Sequence, residues 1–185
     1  MRLNSFFLNL KQIYNMNDAH LHLLVNHFPI IVTFLGFGIL IVGMFLKNNS
    51  VKNTAYFLFV VAALFALASM ATGEGAEELV EDMPNIGKAI IHEHEELAEK
   101  LALVLYATGL FSLLSLYTSI KKNKFANKLS IVTLILALAA SILAIGVGNS
   151  GGEIRHTEIR EDSVNSIIKD TEGIKNESVD ASEND

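Results

Sequence analysis

Hydrophobic and polar residues alternate along this chain in long blocks, not in amphipathic stripes. Four stretches carry no charged residue: 28–46, 54–73, 101–120 and 129–147. Each runs for about 20 residues, which as helix covers roughly 30 Å, the thickness of a bilayer's hydrocarbon layer. Polar segments separate them. Asn48-Asn49-Ser50 divides the first pair, and Lys121-Lys122-Asn123-Lys124 divides the last pair. A longer polar stretch, 74–99, holds Pro84 and Gly87 and joins the second block to the third, with short interfacial helix expected on either side.

Backbone polar groups in lipid have no water to bond, so spanning segments of this kind must be helices. Short connections make neighbours antiparallel. The expected fold class is therefore all-α, an integral membrane four-helix bundle running up-down-up-down. The expected divisions are an N-terminal extension over 1–17, the transmembrane domain over 18–156 and a tail over 157–185. Ala140, Ala144 and Gly148, and likewise Ala62, Ala66, Ser69 and Gly73, place small residues at helical spacing, where backbones can approach closely. The first block is longer than the core of a signal peptide and is followed by Lys47 with no small-residue cleavage pattern, so it reads as a retained helix. Met16 would also serve as a start, so residues 1–15 need not all be native.

Charge orients the bundle. The loops 47–53 and 121–128 contain Lys47, Lys52, Lys121, Lys122, Lys124 and Lys128 and no acid. Short lysine-rich loops stay in the cytoplasm. Both termini then face the periplasm or exterior of a bacterial inner membrane. All 20 acidic residues and all 6 histidines fall on that outer side.

Composition removes several function classes. With no cysteine there is no disulfide, thiolate metal site, covalently attached c-type haem or cysteine nucleophile. A net charge of −6 gives no support for nucleic-acid binding. No ionisable residue lies deep in a span, which argues against a transport path through this subunit alone. No nucleophile–base set, phosphate-binding glycine loop or HExxH string is present, and Gly36-x-Gly38 lies inside a span as a packing feature.

The histidines carry the candidate chemistry. His20, His22 and His27 precede the first span, His92 and His94 precede the third, and His156 follows the fourth. Three helix ends thus bring imidazoles to one membrane face, and neutral imidazole is a common ligand of metals and of haem iron. The candidate cofactor-binding residues are His27, His92, His94 and His156. The candidate metal ligands are His20, His22, Glu96 and Glu99, because His92, Glu96 and Glu99 share a helix face and mixed His/Glu sets hold transition metals. The plainer alternative is that each is a solvated or capping group. Glu74, Glu77, Glu78 and Glu81 read as a solvated acidic ridge.

The string His20-Leu21-His22-Leu23-Leu24-Val25-Asn26-His27-Phe28-Pro29 resembles the opening of the bacterial "domain of unknown function 2231" membrane proteins, with their V-H-F-P motif at the first helix. Gly73 matches the family's glycine at the end of the second helix. His92 or His94 matches its histidine opening the third, and Gly151-Gly152-Glu153-Ile154-Arg155-His156 matches its G-G-x-L-V-Y-x-H-like string. Asn26 stands where the family has valine, and the last string is one residue shorter. The resemblance covers 18–156. It implies a four-helix membrane anchor, with His27, His92 or His94, and His156 as motif histidines. Some relatives are fused to periplasmic cytochrome-like domains, which implies redox company.

Two functions follow as expectations. One is a redox-associated subunit holding haem b or a transition metal, with a periplasmic cytochrome-like protein as partner. The other is a structural or assembly subunit bound to other membrane subunits without a cofactor. An enzyme acting alone is a distant third. The acidic, aliphatic-poor tail is expected to be disordered.

Overall fold

The computed structural model describes residues 17–160 other than 82, 84 and 85. Pro84, the 1–15 stretch and the tail beyond 160 lie outside the described residues. Helix α1 is Asp18–Val25, α2 His27–Phe45, α3 Asn49–Val80, α4 Lys88–Ile120 and α5 Ala126–Arg155, followed by a 3-10 turn, Thr157–Ile159. The four long helical segments run alternately up and down, as the charge-free blocks predict.

Three local signals set these boundaries. Asn17 caps α1, its side-chain oxygen accepting the His20 N–H at 2.9 Å. Asn26 alone separates α1 from α2. Pro29, three residues on, has no N–H to return to the Val25 carbonyl, so the ladder is interrupted at this point. At the far end both tight connections close in the same way. Lys47 and Lys122 take φ of 51° and 50°. Asn48 N–H then bonds Gly43 O at 3.0 Å, and Asn123 N–H bonds Thr118 O at 2.9 Å. Both are Schellman closures. Each asparagine next caps the following segment: Asn48 Oδ1 accepts from Ser50 N–H, and Asn123 Oδ1 from Phe125 N–H.

The interior combines apolar residues, many of them alanine, with buried hydroxyls such as Thr33, Thr108, Ser112 and Thr133, while large apolar side chains also cover the outside. Ala62, Ala66, Leu101, Leu105, Ala140, Ala144 and Val147 fill one half of the core. Leu40, Ala55, Tyr56, Phe59 and Ala137 fill the other. Leu35, Leu103, Ile135 and Ile142 face outward. At most 39% of any span's apolar window is buried inside the bundle, so most of its hydrophobic surface is left for lipid.

Close approach relies on glycine in two places. A Cβ at Gly109 would stand 2.7 Å from that of Ala63, and one at Gly43 would stand 2.8 Å from the Lys52 backbone nitrogen. Ala140 and Ala144 are buried as expected, but Gly148 is exposed. The buried stripe of α5 passes through Val147 and Ser150 instead, because 3.6 residues per turn rotates the third member of a strict four-residue spacing off the seam.

Candidate metal centre

The helices outrun the charge-free blocks mainly at one end. The α3 helix continues to Val80 and α4 starts at Lys88, so most of the polar 74–99 stretch is helix projecting from the bundle. All six histidines sit at this end, with the starts of α1, α2 and α4 and the close of α5. Their surroundings differ.

His22 and His94 are half-buried, and the other four are exposed. His22 Nδ1 lies 3.1 Å from the Ser69 carbonyl oxygen and 3.2 Å from Thr72 Oγ1. A carbonyl can only accept, so Nδ1 carries the hydrogen. His94 Nδ1 lies 3.0 Å from Ser150 Oγ. The Ser150 hydroxyl donates to Val147 O at 3.3 Å, which leaves its lone pair to accept from His94 Nδ1–H. Each imidazole is therefore tied down through Nδ1, and each presents an unprotonated Nε2 with no bonding partner among the described residues. Orientation of one ring nitrogen by a second hydrogen bond is how metal-ligating histidines are held.

The two rings occupy matched cradles. His22 of α1 reaches across to α3, and His94 of α4 reaches across to α5, each onto a hydroxyl and a glycine. Gly73 faces the His22 ring, where a Cβ would stand 3.9 Å from Cε1. Gly151 faces His94, where a Cβ would stand 3.0 Å from Cε1.

Both residues precede the charge-free spans, and both resist protonation. Burial pulls the His22 pKa below its ordinary value and the charge of His27 adds to this, while the Ser69 carbonyl opposes it. Burial does the same to His94, reinforced by the charge His22 would carry and opposed by the Val147 carbonyl.

The remaining candidates lie around the rim with other partners. His20 Nδ1 is 3.1 Å from Asn17 Oδ1, at the cap of α1. His27 Nδ1 is 3.4 Å from Leu23 O. His92 Nε2 is 3.4 Å from Glu96 Oε1, and Glu96 also bonds Lys100 at 3.1 Å. Hydrogen bonding from Lys100 holds the Glu96 pKa low. His156 Nδ1 pairs with Glu158 at 2.9 Å. Glu99 is exposed. The acidic ridge divides: Glu81 pairs with Lys88 at 3.0 Å, whereas Glu77 meets Glu95 across α3 and α4. Burial first, then the bond with Glu77, raises the Glu95 pKa. Among the described residues no three His, Asp or Glu side chains converge closely enough to hold one metal ion.

Sequence reasoning did not single out Ser69, Thr72 or Ser150 as anchors, nor His22 and His94 as a pair. The signal was present at the far end of each hairpin: a small hydroxyl residue followed by glycine, opposite a histidine.

A family model described as "Predicted membrane protein (DUF2231)" matches residues 19–158. The chain belongs to the DUF2231 family. All six histidines of this DUF2231 protein fall within the matched region, and nearly all of the acidic tail falls outside it. No curated protein and no solved structure matches the chain.

Proposed function

We propose that this DUF2231 protein is a redox-associated membrane subunit whose His22 and His94 supply two neutral imidazoles to a transition-metal centre. The observation that carries this reading is the pair of unbonded Nε2 atoms, each fixed by an Nδ1 hydrogen bond and each kept neutral by burial. Haem b fits this donor set better than a bare ion. Two neutral imidazoles would hold haem iron, and the described residues offer two half-buried ones but no group of three His, Asp or Glu side chains for a bare ion. Haem held in this way would supply one-electron transfer. The protein's part is to orient two rings, exclude protons from them and hold them at one end of a bilayer-spanning scaffold. The lysine-rich loops favour a cytoplasmic position for the opposite end, which turns this end toward the periplasm and a cytochrome-like partner. His20, His27, His92, His156, Glu96 and Glu99 lie exposed at the same end of the bundle.

The test is a visible spectrum together with metal analysis of protein purified from cells replete in haem and iron. Sharp absorption bands identify haem, and bound metal without them identifies an ion. Either signal is expected to be lost in His22→Ala and His94→Ala and kept in His20→Ala and His156→Ala. A colourless, metal-free preparation overturns the proposal, as does full retention in the first two variants.

A further inference from the structure

We propose that the lysine end of the bundle holds the phosphate of an anionic phospholipid, bound by Lys52 and Ser119 between the helix termini.

Lys52 is a cation in an unfavourable place. It lies in the first turn of α3, where the helix dipole already presents positive charge, and it is only 7% exposed. Neither a hydrogen bond nor an ion pair joins its side chain to any described residue. The acids of the described residues are at the other end of the bundle. Packing holds the Lys52 stem in place and leaves its ammonium without a counter-charge from the described residues, so the arrangement points to an anion supplied from outside the chain.

Ser119 is a second, independent sign. Its Oγ is buried and bonded to nothing. Helix periodicity sets it beside Lys52. One turn deeper, Tyr56 bonds Ser130 at 2.6 Å with Ser115 next to it, and Ser115 bonds Thr133 at 3.0 Å. Lys52 is one turn outward from Tyr56 and Ser119 one turn outward from Ser115, so both belong to the next layer toward the loops. The N-termini of α3 and α5 lie at this same end, and their dipoles favour an anion there. Lys124 and Lys128 already have a partner: their ammonium groups stand 5.4 and 6.0 Å from the centre of the Phe125 ring. Lys52 immediately precedes the 54–73 span, which puts it at the depth of lipid headgroups.

The experiment compares thermal unfolding of the full chain in detergent with added phosphatidylglycerol, phosphatidylcholine or inorganic phosphate. Phosphatidylglycerol is expected to raise the midpoint by several degrees more than phosphatidylcholine. That difference should vanish in Lys52→Gln, shrink in Ser119→Ala and persist in Lys52→Arg and Lys124→Gln. Equal shifts with both lipids, retention of the difference in Lys52→Gln, or an equal shift with inorganic phosphate alone overturns the assignment. Should Lys52→Gln fail to fold, native mass spectrometry of the unaltered protein decides: retained phosphatidylglycerol in preference to phosphatidylcholine supports the site, and its absence refutes it.

Discussion

His94 Nδ1 donates to Ser150 Oγ across 3.0 Å, joining residues 56 positions apart in the chain. This contact ties the start of α4 to the close of α5 and fixes which ring nitrogen of His94 is bare. Ser150→Ala removes the only side-chain acceptor that the Nδ1 hydrogen has among the described residues. Loss of an outer hydrogen bond of this kind weakens metal affinity by roughly 10–100-fold, and the fold itself loses about 1 kcal/mol. Titration of the apoprotein with haem or metal, beside its unfolding midpoint, separates the two effects. Unchanged affinity with lowered stability would leave Ser150 a structural contact only.

The two glycine cradles should respond differently to alanine. A Cβ at Gly151 would press on the His94 ring at 3.0 Å, while at Gly73 it would meet the His22 ring at an ordinary 3.9 Å. In open helix, glycine to alanine stabilises by about 0.5–1 kcal/mol. Gly73→Ala is therefore expected to be neutral or mildly stabilising. Gly151→Ala should lower the unfolding midpoint and displace the His94 ring. Gly148→Ala, where nothing lies within 4 Å, is the control and should stabilise.

The spans were legible because lipid imposes an unambiguous requirement: no charge over about 20 residues. Over 74–80 and 88–99 the sequence pointed to short interfacial helix, and the structure makes these pieces continuations of the two long helices. Water-facing helix ends need no apolar residues, so the good helix propensity of glutamate shows that they are helical but not how far each long helix runs. The gathering of histidines at one end followed from counting spans. Which two of them face inward did not, because His27 stands nearest the span in sequence. The helix runs on past the span toward its start at Asp18, with Asn26 in right-handed helical conformation, and this sets His22 against Ser69 and Thr72 of α3.

The depressed pKa values of His22 and His94 set a pH dependence. In the unfolded chain each titrates near 6.5, and in the folded protein each titrates lower. Below 6.5 the unfolded state therefore binds more protons than the folded one, and stability falls with pH. It is fully present above that value and declines as pH drops through the depressed folded values. Unfolding midpoints between pH 8 and pH 5 should show this slope, and the double variant His22→Gln with His94→Gln should flatten it. An unchanged slope would mean that other groups dominate.

The carboxyl pair Glu77 and Glu95 works in the opposite sense. The raised Glu95 pKa means that the folded state holds its proton more tightly than the unfolded chain does. That contribution is complete below the unfolded value of 4.5 and disappears as pH rises through the higher folded value. At neutral pH two facing carboxylates repel. Glu77→Gln is thus expected to stabilise the protein at pH 7 and to give no gain at pH 4, read from midpoints at the two pH values. A loss of stability at pH 7 would instead reveal a cation bound between them.

Lys47 and Lys122 pose the last test, because both connections depend on a left-handed residue that is not glycine. A side chain at φ near 50° brings Cβ against the following carbonyl, a conformation costing about 1 kcal/mol or more that glycine avoids. Glycine also loses more backbone freedom on folding, so each of Lys47→Gly and Lys122→Gly should gain about 0.5–1 kcal/mol. Lys121 provides the contrast. It takes φ −77° and ψ 1°, where glycine has no steric advantage, so Lys121→Gly should destabilise. Comparing the three in detergent, after insertion has fixed the orientation, removes the role these charges play in topology. If Lys121→Gly and Lys122→Gly move the midpoint in the same direction, charge and not backbone geometry governs the turn.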